Sequence, residues 1–488
     1  MHVTFWFMHF LFGISLSQKI RNYYLGVEDP GLGKSHVDTP KEQFFSQKLN
    51  HFDPTDHTTW LQRYWVNKSK YAENGPVFLM INGEAPASPI WMSSGAWLDY
   101  GKELNAMYIL LEHRYYGSSR PTNDTSTKSL VYLNTQQALA DVAYFIDGMK
   151  QKYNLSEDTK WIALGGSYAG ALAAWMRYKY PHLVYGAVSS SGPLLAKMDY
   201  KEYFHVVHHS ISSYSNKCEK EISRANKQLE IMIKTKRGRL FLTEWFNLCE
   251  ELSDNEYDIS FLFLTFAYNF ANLVQYDKGY KSATGLNTIR GVCNLFLTGS
   301  SNNKTSSLRR YAEVNKLLLN ASDGECISSV YETYIEKLRE TDWDTSSTYG
   351  RQWMYQTCTE FGFYQTSSTE KDTFGTRLPI EFFSKQCEDI FGSEFNDTFI
   401  RQAINETNLV FGGYDINIDR VVFTHGTVDP WYPLGLYHPS DKKNYDTIFI
   451  KGTSHCSDLN QPTDKDSVEL KNARRAVRNI ILSWFKKQ

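Results

Sequence analysis

The 488-residue sequence has no excess of charge of either sign: 52 Lys and Arg stand against 54 Asp and Glu, a net charge of −2. A surface so balanced releases few counterions from a phosphate backbone, which excludes a general nucleic-acid binder. No repeat and no low-complexity tract interrupts the chain. With 42 % hydrophobic and 22 % charged residues, bulk disorder is excluded. There is no Walker-type loop and no Cys/His spacing of the zinc kind, so no metal, nucleotide or other cofactor is implied. Beyond the N-terminus no apolar run is long enough to cross a bilayer. The best, residues 259–274, is too short and carries Asn269 and Asn272, and it is expected to form a buried helix. The chain ends without a KDEL-type signal.

What is present begins with a short apolar run at residues 3–16, broken only by Thr4, His9 and Ser15. Ser15 and Ser17 supply small residues two apart before Gln18. Although Lys and Arg are missing ahead of the run, residues 1–17 are expected to be a signal peptide. Seven N-x-S/T sequons agree with export: Asn67, Asn123, Asn154, Asn303, Asn320, Asn396 and Asn405. The expected location is secreted, or the lumen of a lysosome or endosome. Seven cysteines are an odd number, so at least one lies outside any intrachain disulfide. Aromatic residues make up 15 % of the chain, which points to aromatic pockets or cores.

Two textures alternate along the sequence. Apolar runs bounded by turns, at 76–82 (PVFLMIN), 106–113 (AMYILLEH), 160–166 (KWIALGG) and 186–192 (GAVSSSG), read as buried strands. Helical patterns at 134–153 and 167–181 lie among them. Strand–helix alternation at this spacing predicts an α/β class with a largely parallel sheet. From about 193 to 405 long helical patterns dominate, among them a stripe of Ile222, Ala225, Leu229 and Met232. Strands return at 420–426 (RVVFTHG) and 446–452 (DTIFIKG). A last helix, about 467–485, puts Leu470, Ala473, Val477, Ile480 and Trp484 on one face. The expected domains are a core made of 18–192 and 406–488, and a helical insertion at 193–405. The charge run 234–239 (KTKRGR) reads as a solvated helix end before Gly238.

The strongest chemical signal is LGGSYAG at 164–170. A buried strand ends in two glycines, then Ser167, then an Ala-rich helix, which is the context of a nucleophile elbow. The turn needs small residues two before and two after the serine, and Gly165 and Ala169 meet that need. The helix start offers free N–H groups to an oxyanion, Tyr168 N–H first. A second donor is expected from the loop after the first buried strand, at Gly83. Asp429 (THGTVDPWYPLG) and His455 (KGTSHCSDL) each follow a later strand. The order Ser167, Asp429, His455 is that of α/β-hydrolases, with the histidine as base and the aspartate orienting it. His113 and His425 are rival histidines read as structural. Trp431 and Tyr432 are candidate walls of a substrate pocket, and the aromatic segment 261–270 is a weaker one. Glu84 is a candidate partner for a substrate's terminal amine, or else a structural partner of Arg114.

GGSYAG, EHRYYGSSRP (112–121), LNHFDPTD (49–56), VDPW and SHCSDL together resemble the serine peptidase family of prolyl carboxypeptidase and dipeptidyl peptidase II. The stretches NGEAPASPIW, LNTQQALADVAYFI and GGSYAGALAAWMRYKYPHLVYGAVSSSGPL look most like its thymus-specific serine protease branch. The resemblance runs from about residue 44 to the C-terminus. It implies an α/β-hydrolase domain with a large inserted helical cap, and the triad Ser167, Asp429 and His455. It also implies disulfides Cys218–Cys293, Cys249–Cys326 and Cys358–Cys387, which leave Cys456 unpaired beside His455. The implied partners are small peptides cleaved after proline or a small residue, trimmed from one end or the other; a homodimer is left open. Proline has no N–H to give to a strand-like pocket, so an apolar pocket would have to recognise it. A carboxylesterase or lipase on the same fold is an alternative, as is a non-catalytic binding protein that retains it.

Overall fold

The computed structural model describes residues 38–277, 288–298, 306–321, 325–343, 349–367, 373–439 and 444–486. The expected signal peptide at 1–17 and the sequon at Asn303 lie outside them, as does the side chain of Asn320. Eight strands form one sheet: β1 (Gln43–Lys48), β2 (Thr59–Asn67), β3 (Val77–Ile81), β4 (Met107–Leu111), β5 (Trp161–Gly166), β6 (Gly186–Ser190), and two late strands. A short two-stranded sheet pairs β7 (Lys197–Asp199) with β8 (Gly362–Tyr364) before the large sheet is completed by β9 (Asp419–Gly426) and β10 (Asn444–Ile450). The large sheet runs in the order β1-β2-β4-β3-β5-β6-β9-β10. From β4 to β10 all neighbours are parallel, whereas β1–β2 and β2–β4 are antiparallel. This is an α/β-hydrolase architecture.

Burial explains which strands the sequence declares. Every residue of β3, β4, β5 and β6 is buried, as expected of a sheet covered on both faces. β1 and β2 alternate instead, and buried glutamines stand in their apolar places. Gln47 Nε2 donates to Gln62 Oε1 at 2.9 Å, and this pair interrupts the apolar alternation of Phe45, Trp60 and Tyr64. The predicted helices occur as α1 (Thr135–Lys152), capped by Asn134, and α2 (Tyr168–Lys179). The apolar stretch near 259–274 is α3 (Glu256–Gln275), a helix with a dozen buried side chains. The last helix is α4 (Val468–Trp484). Its buried face is Leu470, Ala473, Arg474, Val477 and Ile481, with Ile480 and Trp484 at its margin. No described helix is long and apolar enough to cross a membrane.

Helices dominate the chain between β7 and β9. Residue 405, the expected end of the insertion, lies inside the continuous helix Asp397–Phe411, and the chain re-enters the large sheet only at Asp419. Segment 234–239 is a helix start and not a helix end. Thr235 caps Lys236–Phe246 by accepting from Gly238 N, because its short hydroxyl reaches a free first-turn N–H. The structure joins Cys218 to Cys293, Cys249 to Cys326 and Cys358 to Cys387, and leaves Cys456 as a buried thiol. Asn123, Asn154, Asn396 and Asn405 are exposed; Asn67 is half-buried and its Nδ2 donates to Met92 O.

Candidate active site

Ser167 sits between β5 and α2 with φ 60° and ψ −134°, a conformation that non-glycine residues rarely adopt. The turn holds it there. Its N–H donates to Ser190 O on the neighbouring strand, and its carbonyl accepts from Gly170 and Ala171. A Cβ at Gly165 would collide with the Ala169 carbonyl, which is the steric reason for a glycine two residues ahead of the serine. Strain of this kind costs about 1–3 kcal/mol and persists where the surroundings enforce it. Tyr168 is the first residue of α2, so its N–H has no acceptor within the helix. Gly83 lies against this turn: a Cβ placed on it would be 3.4 Å from Ala169 N.

The loops after β9 and β10 bring Asp429 and His455 together. Nδ1–H of His455 donates to Asp429 Oδ1 at 2.8 Å, and Trp431 N–H donates to the same oxygen at 2.9 Å. Both side chains are buried. Burial works against the Asp429 charge, but the His455 imidazole beside it more than compensates, and its pKa falls below the usual carboxylate value. Burial likewise opposes an imidazolium at 455, yet the adjacent carboxylate prevails and the histidine pKa is raised. A proton held on Nδ1 leaves the lone pair on Nε2, which has no hydrogen-bond partner among the described residues. Because β5, β6, β9 and β10 are parallel neighbours, Ser167, Asp429 and His455 all follow strand ends at one edge of the sheet.

Ser167 opens into a pocket whose lining includes Glu84, Tyr168, Tyr203, Tyr268, Gln275, Tyr276, Trp353, Phe363 and Trp431. The Trp431 and Tyr276 rings also pack against His455, with centroids 6.5 and 6.2 Å away. The loop after β9, the loop after β5 and the helical segment thus share one cavity. Of the aromatic segment 261–270, Tyr268 reaches it. Tyr432 does not line it: that ring packs on Tyr437 and Phe449. Nor does Glu84 serve Arg114, which is held by both oxygens of Asp141 at 2.6 Å. His113 and His425 are buried, and desolvation lowers each to a pKa of about 4.

Several residues that position this site carry no signal of their own in the sequence. Glu112 accepts from Ala87 N at 3.0 Å and from the Arg63 guanidinium, which ties the Gly83 loop to the strand beside it. Asp458 accepts from Ser190 Oγ at 2.5 Å and Thr424 Oγ1 at 2.8 Å, anchoring the His455 loop to β6 and β9. Gln356 Nε2 donates to the Tyr168 hydroxyl at 3.0 Å, linking the helical segment to the elbow. Glu112 falls in the block EHRYYG and Asp458 in SHCSDL, but neither block tells which partners they hold. The Asp458 and Gln356 contacts join residues 34 to 268 positions apart, beyond the reach of any local pattern.

The family described as serine carboxypeptidase S28 matches residues 47–477. The thymus-specific serine protease of Mus musculus is 33 % identical over 475 residues, covering 94 % of this chain and 90 % of its own. Its Homo sapiens counterpart is 32 % identical over 466 residues, with 93 % and 88 % covered. The lysosomal Pro-X carboxypeptidase of Homo sapiens is 29 % identical over 459 residues, with 91 % and 88 % covered. A match across nearly the whole described chain, joined to a serine on a strained strand–helix turn and a buried Asp–His pair, places the protein among serine peptidases: it belongs to the serine carboxypeptidase S28 family.

Proposed function

We propose that Ser167, Asp429 and His455 form the catalytic triad of an exopeptidase that removes short segments from the amino end of small peptides, after proline or a small residue. His455 Nε2 takes the Ser167 proton as the hydroxyl attacks the scissile carbonyl, and later returns it to the leaving amine. Asp429 holds the imidazole in the needed tautomer. Tyr168 N–H and the Gly83 loop are assigned to the oxyanion. The observation that carries the choice of chain end is the charge of the pocket. Glu84 is the only charged side chain among its described lining residues, and it is 4 % exposed. A carboxylate there suits a substrate ammonium; a carboxypeptidase would place a cation at this point. Trp431, Phe363 and Tyr268 provide an apolar wall for a proline ring, whose lack of an N–H such a wall does not penalise.

The helical segment 193–405 is assigned the role of cap, narrowing access to peptides. The expected setting is the lumen of a lysosome or the extracellular space, with exposed sequons at Asn123, Asn154, Asn396 and Asn405 glycosylated. The test is digestion of a Pro-containing peptide with a free or an acetylated amino terminus, followed by mass spectrometry. Loss of amino-terminal residues from the free peptide only is expected. Trimming from the carboxyl end, or equal cleavage of both, would overturn the assignment.

A further inference from the structure

We infer that Gln275 is a substrate-binding residue, whose side-chain amide donates to a backbone carbonyl of the peptide on the amino side of the scissile bond. The inference deepens the peptidase reading above and rests on it. Gln275 is the last residue of α3 and lines the Ser167 pocket. Its backbone carbonyl accepts from His455 N–H at 2.9 Å. Its side-chain oxygen Oε1 accepts from the Trp431 indole N–H at 2.9 Å and from the Tyr203 hydroxyl at 2.8 Å. An indole N–H can only donate, so it must face the amide oxygen and not the amide nitrogen. That contact settles which way the amide points. Both lone pairs of Oε1 are then used. The polar group left to a bound molecule is Nε2, with its two N–H donors.

A donor suits this reaction. A peptide with proline lacks an N–H at that residue but keeps every carbonyl oxygen, so a site that recognises it through the backbone must give hydrogen bonds. The bonds from Trp431 and Tyr203 fix the Gln275 side chain, and the bond from the His455 N–H fixes its backbone, before substrate arrives, which lowers the entropy cost of using it. The bonds from Trp431 and from the His455 N–H register it to the two loops that carry Asp429 and His455, and the bond from Tyr203 ties it to the helix Glu202–Tyr214. A carbonyl held by Nε2 is therefore held relative to the catalytic groups and not merely to the helix.

The test pairs a change in the enzyme with a change in the substrate. A tripeptide is compared with an analogue in which the amino-side carbonyl is replaced by an alkene isostere, on wild type and on Gln275→Met. One hydrogen bond of this kind is worth about tenfold in kcat/KM. Wild type is expected to prefer the carbonyl substrate by about that factor, through KM, and Gln275→Met to treat the two alike. Gln275→Glu keeps an acceptor for Trp431 and Tyr203 but loses the donor; it should behave as the Met variant does and serves if that variant does not fold. Fluorophosphonate labelling of each protein reports on Ser167 independently. An equal preference in wild type and both variants, with labelling intact, would overturn the role of Gln275. A wild type that does not label at all would instead sink the peptidase reading.

Discussion

At the scale of single residues, the proposed chemistry depends on one shared oxygen. Asp429 Oδ1 accepts from both His455 Nδ1 and Trp431 N, so the carboxylate is held by its own loop while it orients the imidazole. Asp429→Asn should keep the geometry but present the wrong hydrogen-bonding partner, favouring the tautomer with the proton on Nε2. A loss of about 10⁴-fold in kcat is expected, measured on any peptide the wild type cleaves; a loss under tenfold would contradict the assignment. The raised His455 pKa has a direct consequence for pH. The base works when neutral, so kcat/KM rises as pH climbs through that pKa, and the acid limb should lie above the ordinary histidine value of about 6.5. A limb centred near pH 5 would show that another group controls the rate. The placement of Ser167, Asp429 and His455 after strand ends is legible in the sequence because each follows a strand with a distinctive loop. Tyr432 was misread for the same reason: it shares that loop with Asp429 but turns to Tyr437 and Phe449, and spacing along a loop does not tell which way a ring points.

At the scale of elements, the single π-helical turn Thr357–Phe361 connects the helical segment to the elbow. Cys358 within it is bonded to Cys387, Gln356 just before it reaches the Tyr168 hydroxyl, and Glu360 accepts from Thr135 N at 2.8 Å. Burial raises the Glu360 pKa from 4.5 to about 7, against the hydrogen bond from Thr135. The folded protein thus keeps a proton between pH 4.5 and 7 that the unfolded chain gives up. The stability that this proton confers is present below about pH 4.5 and is lost as pH rises towards 7. The difference is at most about 3 kcal/mol. Glu360→Gln should remove this dependence: its urea midpoint, relative to wild type, should be higher at pH 7.5 than at pH 5. A difference that is the same at both values would mean that Glu360 is ionised throughout. No local signal announces this turn, since its partners Tyr168 and Thr135 lie about 190 and 225 positions away. β1 and β2 were hidden for a related reason. Among their inward places, Gln47 and Gln62 stand beside Phe45, Trp60 and Tyr64, and these hydrogen-bonded polar residues interrupt the apolar period.

At the scale of the whole molecule, chain ends far apart in sequence build one site. β5 and its turn supply the serine, the loops after β9 and β10 supply Asp429 and His455, and the segment between β6 and β9 supplies most of the pocket wall. The α/β core and the helical interruption could be read from period and order alone. The join could not, because Gln275 meets Trp431 and His455 through single side chains and a helix end, and not through a repeating pattern. Everything proposed for the pocket depends on Ser167 being the nucleophile. The direct measurement is labelling with a fluorophosphonate probe, followed by peptide mapping of wild type and Ser167→Ala. One adduct, on Ser167, that disappears in the variant is the predicted result. Equal labelling of the two proteins, or an adduct at another residue, would contradict it.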